Sequence, residues 1–245
     1  MNRVLSVLTL TAALTFNTLA RADLVTHALV SFGDSEPTTV QVFGAAHAAI
    51  SNSYTSPGSF TGTAEAWAGY GLVRAVASAH TQNASYDTQL VQAEASFSDL
   101  LTISGGVGGG FVIYQYTVTG STIGSEHQAH AHAFLRHGNE PDEELGHLSS
   151  STILTSLPHS FTFGVPFTTG LLLSAEVHLH HGHSGTALAD FSAGAMLSGI
   201  SIFDAQMQPI SQFSISAHSG TQDPLPAPAT APVLLAGLCL VNRRS

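Results

Sequence analysis

The sequence predicts an all-β protein: a single antiparallel, jelly-roll-like β-sandwich between an N-terminal signal peptide and a short C-terminal hydrophobic sorting helix. Three observations favour this fold class. Apolar and polar residues alternate with a period of two through many short segments, as in half-buried strands. Glycine, proline, asparagine and aspartate separate these segments, and no long helical period appears. The 245 residues are enough to bury the core of one β domain.

The predicted strands are rich in β-branched, aromatic and small residues, which suit pleated and closely packed sheets. SGGVGGG (Ser104–Gly110) is predicted to be a turn, because glycine readily adopts positive φ angles. In chain order the strand segments are LVTHALVSF, TVQVFGAAHAAI, EAWAGYGLVRAVASAH, LVQAEASFSDLLTI, FVIYQYTVTG, HQAHAHAFL, HSFTFGVPF, LLLSAEVHLH, ADFSAGAMLSGISIFDA and SQFSISAHS.

The N-terminus has the features of a secretory signal peptide. Arg3 supplies the positive start and residues 4–16 form a short apolar stretch. Ala20 and Ala22 provide small residues at the spacing of a cleavage site, so we expect cleavage before Asp23. The stretch is too short for a spanning helix, and a buried N-terminal strand is the alternative. The protein is therefore predicted to be exported.

Composition is even between the two terminal segments, so the sequence predicts one domain in the middle of the chain. The predicted boundaries are 1–22 for the signal peptide, 23–220 for the β-sandwich body and 221–245 for the sorting or anchor segment.

The charge of the body excludes several partners and reactions. Residues 23–223 hold all 16 acidic residues but only Arg74 and Arg136, so two minus 16 gives a formal charge of −14 with neutral histidines. Nucleic acid is excluded as a partner, because its binding depends on basic residues. The chain has no lysine, which excludes a Walker-type phosphate loop and Schiff-base chemistry. The single cysteine, Cys239, lies outside the body, which therefore has no disulfide framework.

Histidine is the one conspicuous excess, with 14 in the chain. In HQAHAHAFL, strand alternation places His130 and His132 on the face opposite the alanines. In LLLSAEVHLH, it places His178 and His180 on one face together with Glu176. Neutral imidazole is a good ligand for zinc or copper, and opposite residues on neighbouring strands lie close enough to share an ion. These four histidines are the candidate metal ligands; the alternative is that they are polar surface residues.

No motif indicates catalysis, and the protein is predicted not to be an enzyme. Neither G-x-S-x-G nor H-E-x-x-H occurs in the sequence. HGNEPDEELGH (His137–His147) gathers four acidic residues without EF-hand spacing and is interpreted as a solvated acidic loop.

The C-terminal segment has the order of a sorting signal: a proline motif, an apolar stretch and a basic end. Its residues are Pro226, Ala227, Pro228, the apolar residues 231–241, Arg243 and Arg244. They resemble the signal of the PEP-CTERM family of exported bacterial proteins, with Ala227 in place of the family's glutamate, and PLPA (Pro224–Ala227) gives an alternative register. The resemblance implies processing by an exosortase, a membrane cysteine protease, with transient membrane anchoring and delivery to the cell envelope surface or the exterior, where exopolysaccharide is a further partner.

Together these features predict an exported structural or adhesive protein of the cell surface or extracellular matrix, without a cofactor. The alternative is a histidine-rich envelope protein that binds transition metal ions such as zinc or copper. A secreted hydrolase ranks third, because no motif supports it.

We expect deletion of the C-terminal segment to leave the fold intact and to change only where the protein goes. If the segment belonged to the core, removing its large apolar side chains would cost about 1.5–3 kcal/mol each. Thermal melting of residues 23–222 and 23–245 should therefore agree closely, and cell fractionation should show the longer form held at the membrane until processing. An unfolded shorter form would contradict the sorting function.

Overall fold

The computed structural model describes residues 23–219, with gaps at 33–37, 44–46, 55–59, 83–87, 125–127 and 181–183. In these ranges the chain is all-β, with 14 strands and no helix. Accordingly, no helix that could span a membrane occurs among the described residues. The signal peptide (1–22) and the sorting segment (221–245), with the residues named for both, lie outside the described residues.

The strands follow one another through short connections, and their bounds are as follows. They are β1 Asp23–Phe32, β2 Thr38–Phe43, β3 His47–Tyr54, β4 Phe60–Gly69, β5 Leu72–Thr81, β6 Thr88–Ser104, β7 Gly109–Ile123, β8 Ala129–His137, β9 Glu143–Leu148, β10 Ser150–Thr155, β11 His159–Thr162, β12 Phe167–His180, β13 Gly185–Asp204 and β14 Ser214–Ala217.

The strands form two seven-stranded sheets with antiparallel pairing throughout the described pairs. Sheet 1 has the order β2-β1-β6-β12-β8-β9, with β14 also paired to β6. Sheet 2 has the order β10-β7-β13-β5-β4-β3, with β11 also paired to β7. Buried residues of both sheets form one hydrophobic core. This architecture is consistent with the predicted β-sandwich.

Small side chains dominate the core. Buried residues alternate strictly with exposed or partly exposed residues along β4, β5 and β8, and the alanines of these strands point inward. Ala75, Ala93 and Ala131 are completely buried, while a few large residues such as Tyr114 and Phe191 fill the remaining space. Alanine has little side-chain entropy to lose on burial, but each one removes little apolar area from water. The core therefore depends on many small side chains from both sheets.

The structure divides two of the predicted strand segments. TVQVFGAAHAAI contains β2 and β3, which belong to different sheets. EAWAGYGLVRAVASAH is the hairpin of β4 and β5, and its turn includes Gly71 at a φ of 81°. The glycine-rich turn between β6 and β7 is confirmed, because Gly105 and Gly108 adopt φ angles of 113° and 76°.

We expect Gly170→Ala to destabilise the fold, because a Cβ atom there would overlap the carbonyl oxygen of Phe97 on the neighbouring strand. Relief requires a shift of strand backbone, so the free energy of unfolding should fall by roughly 1–3 kcal/mol. Gly109→Ala is the matched control, since its nearest neighbour would be the Phe161 carbonyl oxygen at 3.8 Å. Urea denaturation measures both variants, and equal stabilities would contradict the close approach of β12 to β6.

Candidate metal centre

The outer face of sheet 1 carries histidines because the opposite face of the same strands is buried. In β8, Ala129, Ala131 and Ala133 are completely buried. Successive side chains of a strand point to opposite faces, and His130 and His132 accordingly lie on the outer face, partly exposed. Burial of the alanines thus determines which face of β8 carries the two imidazoles.

β12 continues this polar face beside β8. Ala175 and Val177 are completely buried, and Glu176 and His178 lie outside at intermediate exposure. The two strands are antiparallel neighbours, with Glu176 directly opposite His130. The pairing therefore brings the two histidine-rich strands of the sequence together.

A third strand contributes another imidazole. β9 pairs with the other side of β8, and its His147 lies directly opposite His132. His147 is exposed. The histidines of β8 are therefore flanked by polar side chains from both neighbouring strands.

The four imidazole rings form a compact cluster. His130 lies at its centre, with ring centroids 5.0 Å from His132 and 4.7 Å from His147. The rings of His132 and His147 are also 4.7 Å apart. On the other side, His178 stacks on His130 at 5.7 Å with an interplanar angle of 7°.

Two overlapping sets of ligand atoms result, and both include His130. We call His130, His132 and His147 the imidazole triad, and His130, Glu176 and His178 the carboxylate triad. In each triad the three ligand atoms lie within 4.8 Å of one another. Zinc bonds imidazole nitrogen at about 2.0–2.1 Å, so small side-chain rotations are enough to close either triad around an ion.

Three of the four predicted ligands lie in this cluster, and one does not. His130, His132 and His178 come together on adjacent strands. His180 is exposed at the end of β12, in register with Thr88 of β6. Neither triad includes His180.

Sequence reasoning missed two members of the cluster. The alternation pattern places Glu176 on the same face as His178, and this pattern is the sequence feature that indicates Glu176 as a ligand. His147 gave no comparable signal, because it lies in the segment interpreted as an acidic loop. His127, His181 and His183 lie outside the described residues.

The carboxylate of Glu176 is held by hydrogen bonds along the outer face. Its Oε1 accepts from Gln92 Nε2 at 3.1 Å and from the Ser174 hydroxyl at 3.0 Å. Its Oε2 lies 3.1 Å from His178 Nε2 and 3.8 Å from His130 Nε2. The last distance is too long for a hydrogen bond, although the opposite charges interact when His130 is protonated.

These surroundings favour the protonation states that a metal ion needs. Burial alone raises the pKa of Glu176, but hydrogen bonds from His178 and Ser174 and the charges of His178 and His130 outweigh it and lower that pKa to about 2. Burial lowers the pKa of His130, against the opposing effect of Glu176 and with help from the three other imidazoles. An ionised carboxylate and a neutral imidazole are the forms that bind metal.

Glu144 orients one imidazole of the cluster. Its Oε1 lies 2.9 Å from His132 Nδ1. An ionised carboxylate only accepts hydrogen bonds, so Nδ1 carries the hydrogen and Nε2 of a neutral ring keeps its lone pair. Such carboxylate–histidine pairs orient the ligands of many metal sites.

A separate buried cluster lies at the other end of β8. His159 Nδ1 lies 2.8 Å from Glu140 Oε2, and its Nε2 lies 2.7 Å from Glu143 Oε2. Both ring nitrogens of His159 are therefore engaged by carboxylates, and neither is turned toward the outer cluster's ligands. His137 stacks on it with ring centroids 4.8 Å apart.

His137 is itself held by a network of hydrogen bonds. Its Nε2 lies 2.9 Å from the Ser160 carbonyl oxygen, and its Nδ1 lies 3.1 Å from the hydroxyl of Tyr114. Burial lowers the pKa of His137, partly offset by the bond to Ser160, and burial raises the pKa of Tyr114. A neutral ring accepting from the tyrosine and donating to the carbonyl satisfies both contacts.

The prediction of a solvated acidic loop is correct for residues 139–142, which are exposed and lie outside the strands. It is corrected for the second half, which belongs to strand β9, and all four acidic residues contact an arginine or a histidine. Asp142 accepts hydrogen bonds from Nε and Nη2 of Arg136 at 2.8 and 2.6 Å. The other three acidic residues contact His159 and His132. The segment therefore anchors the β8–β9 hairpin through these contacts.

No protein-family model matches this chain, and no curated protein matches it.

We expect Glu176→Gln to lose less stability in acid than the wild-type protein. The pKa of this carboxyl is lowered from 4.5 to about 2 on folding, so its ionised form stabilises the fold above pH 4.5, and this contribution disappears as the pH falls to about 2. The contribution at neutral pH is up to about 3 kcal/mol. Urea denaturation at several pH values should show the two stabilities converging in acid. If the stabilities of the wild-type protein and of Glu176→Gln change in parallel with pH, the lowered pKa of Glu176 is contradicted.

Proposed function

We propose that this protein is an exported β-sandwich that binds a transition metal ion, zinc or copper, on the outer face of sheet 1. The observation that carries the proposal is the convergence of four imidazoles and one carboxylate from three neighbouring strands, with the ligand atoms of each triad within 4.8 Å. Of the two functions predicted from the sequence, this geometry favours metal binding over a purely structural role.

The chemistry of the cluster supports this choice of ion. Imidazole nitrogen suits zinc and copper, whereas calcium and magnesium prefer oxygen ligands. The cluster contains one carboxylate, Glu176, among its five ligand side chains. Its ligands also lie on adjacent strands of a regular sheet, which positions them more firmly than a loop does.

The terminal segments supply the setting of the proposed function. The signal peptide supports export, and the resemblance of the tail to PEP-CTERM signals supports exosortase processing and release at the envelope surface. In this setting the body acts outside the cell, in contact with exopolysaccharide, as a matrix protein that carries a metal ion. The jelly-roll-like connectivity of the sandwich belongs to the same proposal.

We expect the full chain to bind zinc and copper, and His130→Ala to weaken that binding by at least about tenfold. Even removal of a residue that only orients a ligand typically costs about 10–100-fold in metal affinity. His130 belongs to both triads, so its loss should affect either position of the ion. Isothermal titration calorimetry measures the affinity, and the melting temperature should rise with metal concentration. The affinity should fall as the solution is acidified, because protons compete with the metal ion for imidazole nitrogen.

His180→Ala is the matched control, because it removes an exposed histidine of β12 that belongs to neither triad. It should leave the affinity for zinc and copper unchanged. If no divalent ion binds, or if the two variants lose affinity equally, the cluster is a polar surface and the proposal is wrong.

A further inference from the structure

We infer, on the basis of the proposed metal function, that the ion occupies the imidazole triad and keeps one coordination position open to water or a small anion.

The carboxylate triad is the less available of the two. Both oxygens of Glu176 already have partners: Gln92 and Ser174 at Oε1, and His178 at Oε2. The nitrogen of His178 that makes this contact is Nε2, at 3.1 Å. An ion bound there through these atoms has to separate a carboxylate from its hydrogen-bonded imidazole, which removes a charge-assisted interaction.

The imidazole triad is better prepared. Its ligands come from β8 and from the position directly opposite on β9. Glu144 already fixes the ring of His132 through Nδ1, as orienting carboxylates do in metal sites. The rings of His132 and His147 are 4.7 Å apart, so their nitrogens can approach one ion without a change in the backbone.

Only three protein ligands then reach the ion. Among the described residues no single set places the ligand atoms of all five side chains within 4.8 Å of one another. Zinc in a closed structural site has four protein ligands, whereas three protein ligands leave a position for water or substrate. His147 is exposed and the side chain of His132 is 26% exposed, so this position faces solvent.

The ligands of the open position follow from this donor set. Three neutral imidazoles leave the charge of a divalent ion uncompensated, so the ion attracts hydroxide or a small anion such as azide or a carboxylate. Water bound to zinc by three histidines ionises near neutral pH. The site is therefore suited to exchange small ligands at the protein surface.

Cobalt(II) tests the inference, because its visible absorption reports the coordination of the ion. The full chain loaded with cobalt should change its spectrum when azide is added, and His147→Ala should weaken cobalt binding by at least about tenfold. His180→Ala, which belongs to neither triad, should retain cobalt and its response to azide. His178→Ala should weaken cobalt binding less than His147→Ala does. Circular dichroism verifies that each variant keeps its β structure.

The outcomes separate this inference from the proposed function. If cobalt binds but azide leaves the spectrum unchanged, the site is closed and the inference is wrong, while metal binding stands. If His178→Ala loses cobalt as strongly as His147→Ala, the ion is held by both triads, which also overturns it. If the wild-type protein binds no cobalt, zinc or copper, the proposed function itself fails.

Discussion

The burial of the alanine face of β8 is the constraint on which the rest of this structure depends. Ala129, Ala131 and Ala133 have no exposed surface. A shift of β8 by one residue would turn them outward and drive His130 and His132 into the core, where unpaired polar groups are costly. The alternation therefore fixes the register of β8, and the register in turn sets which side chains of β9 and β12 face its histidines.

The β8–β9 hairpin depends on ionic contacts at its other end. Its connecting residues are tied to β8 by the pair of Asp142 and Arg136. Glu140 of the connection and Glu143 at the start of β9 both contact His159 of β11. These contacts hold β9 in place beside β8, and β9 carries His147. The buried cluster around His159 thus anchors the β8–β9 hairpin. The outer cluster around His130 depends on that hairpin, because β9 carries His147.

The sequence was sufficient to predict the all-β class and the faces of β8 and β12, because both follow from a local period of two. It was not sufficient to predict their adjacency, since β8 and β12 are separated by three strands in the chain. Because strand pairing cannot be deduced from a local pattern, the sequence predicts His180 as a metal ligand and does not predict His147. His180 continues a visible pattern in β12, whereas the place of His147 depends on the pairing of β9, whose acidic residues suggested a loop. Glu176 was visible on the correct face, but only the register placed it opposite His130.

Metal binding at the proposed site would also stabilise the fold. The core is built largely from alanines, each of which contributes little hydrophobic free energy, and no cysteine lies between residues 23 and 223 to cross-link the strands. An ion on the imidazole triad would link β8 to β9, an edge of sheet 1 in the order of the described strands. By linkage, an ion present at a hundredfold excess over its dissociation constant stabilises the folded state by about 2.7 kcal/mol. That is comparable to a disulfide bond, so at the proposed site the same histidines would serve both metal binding and stability.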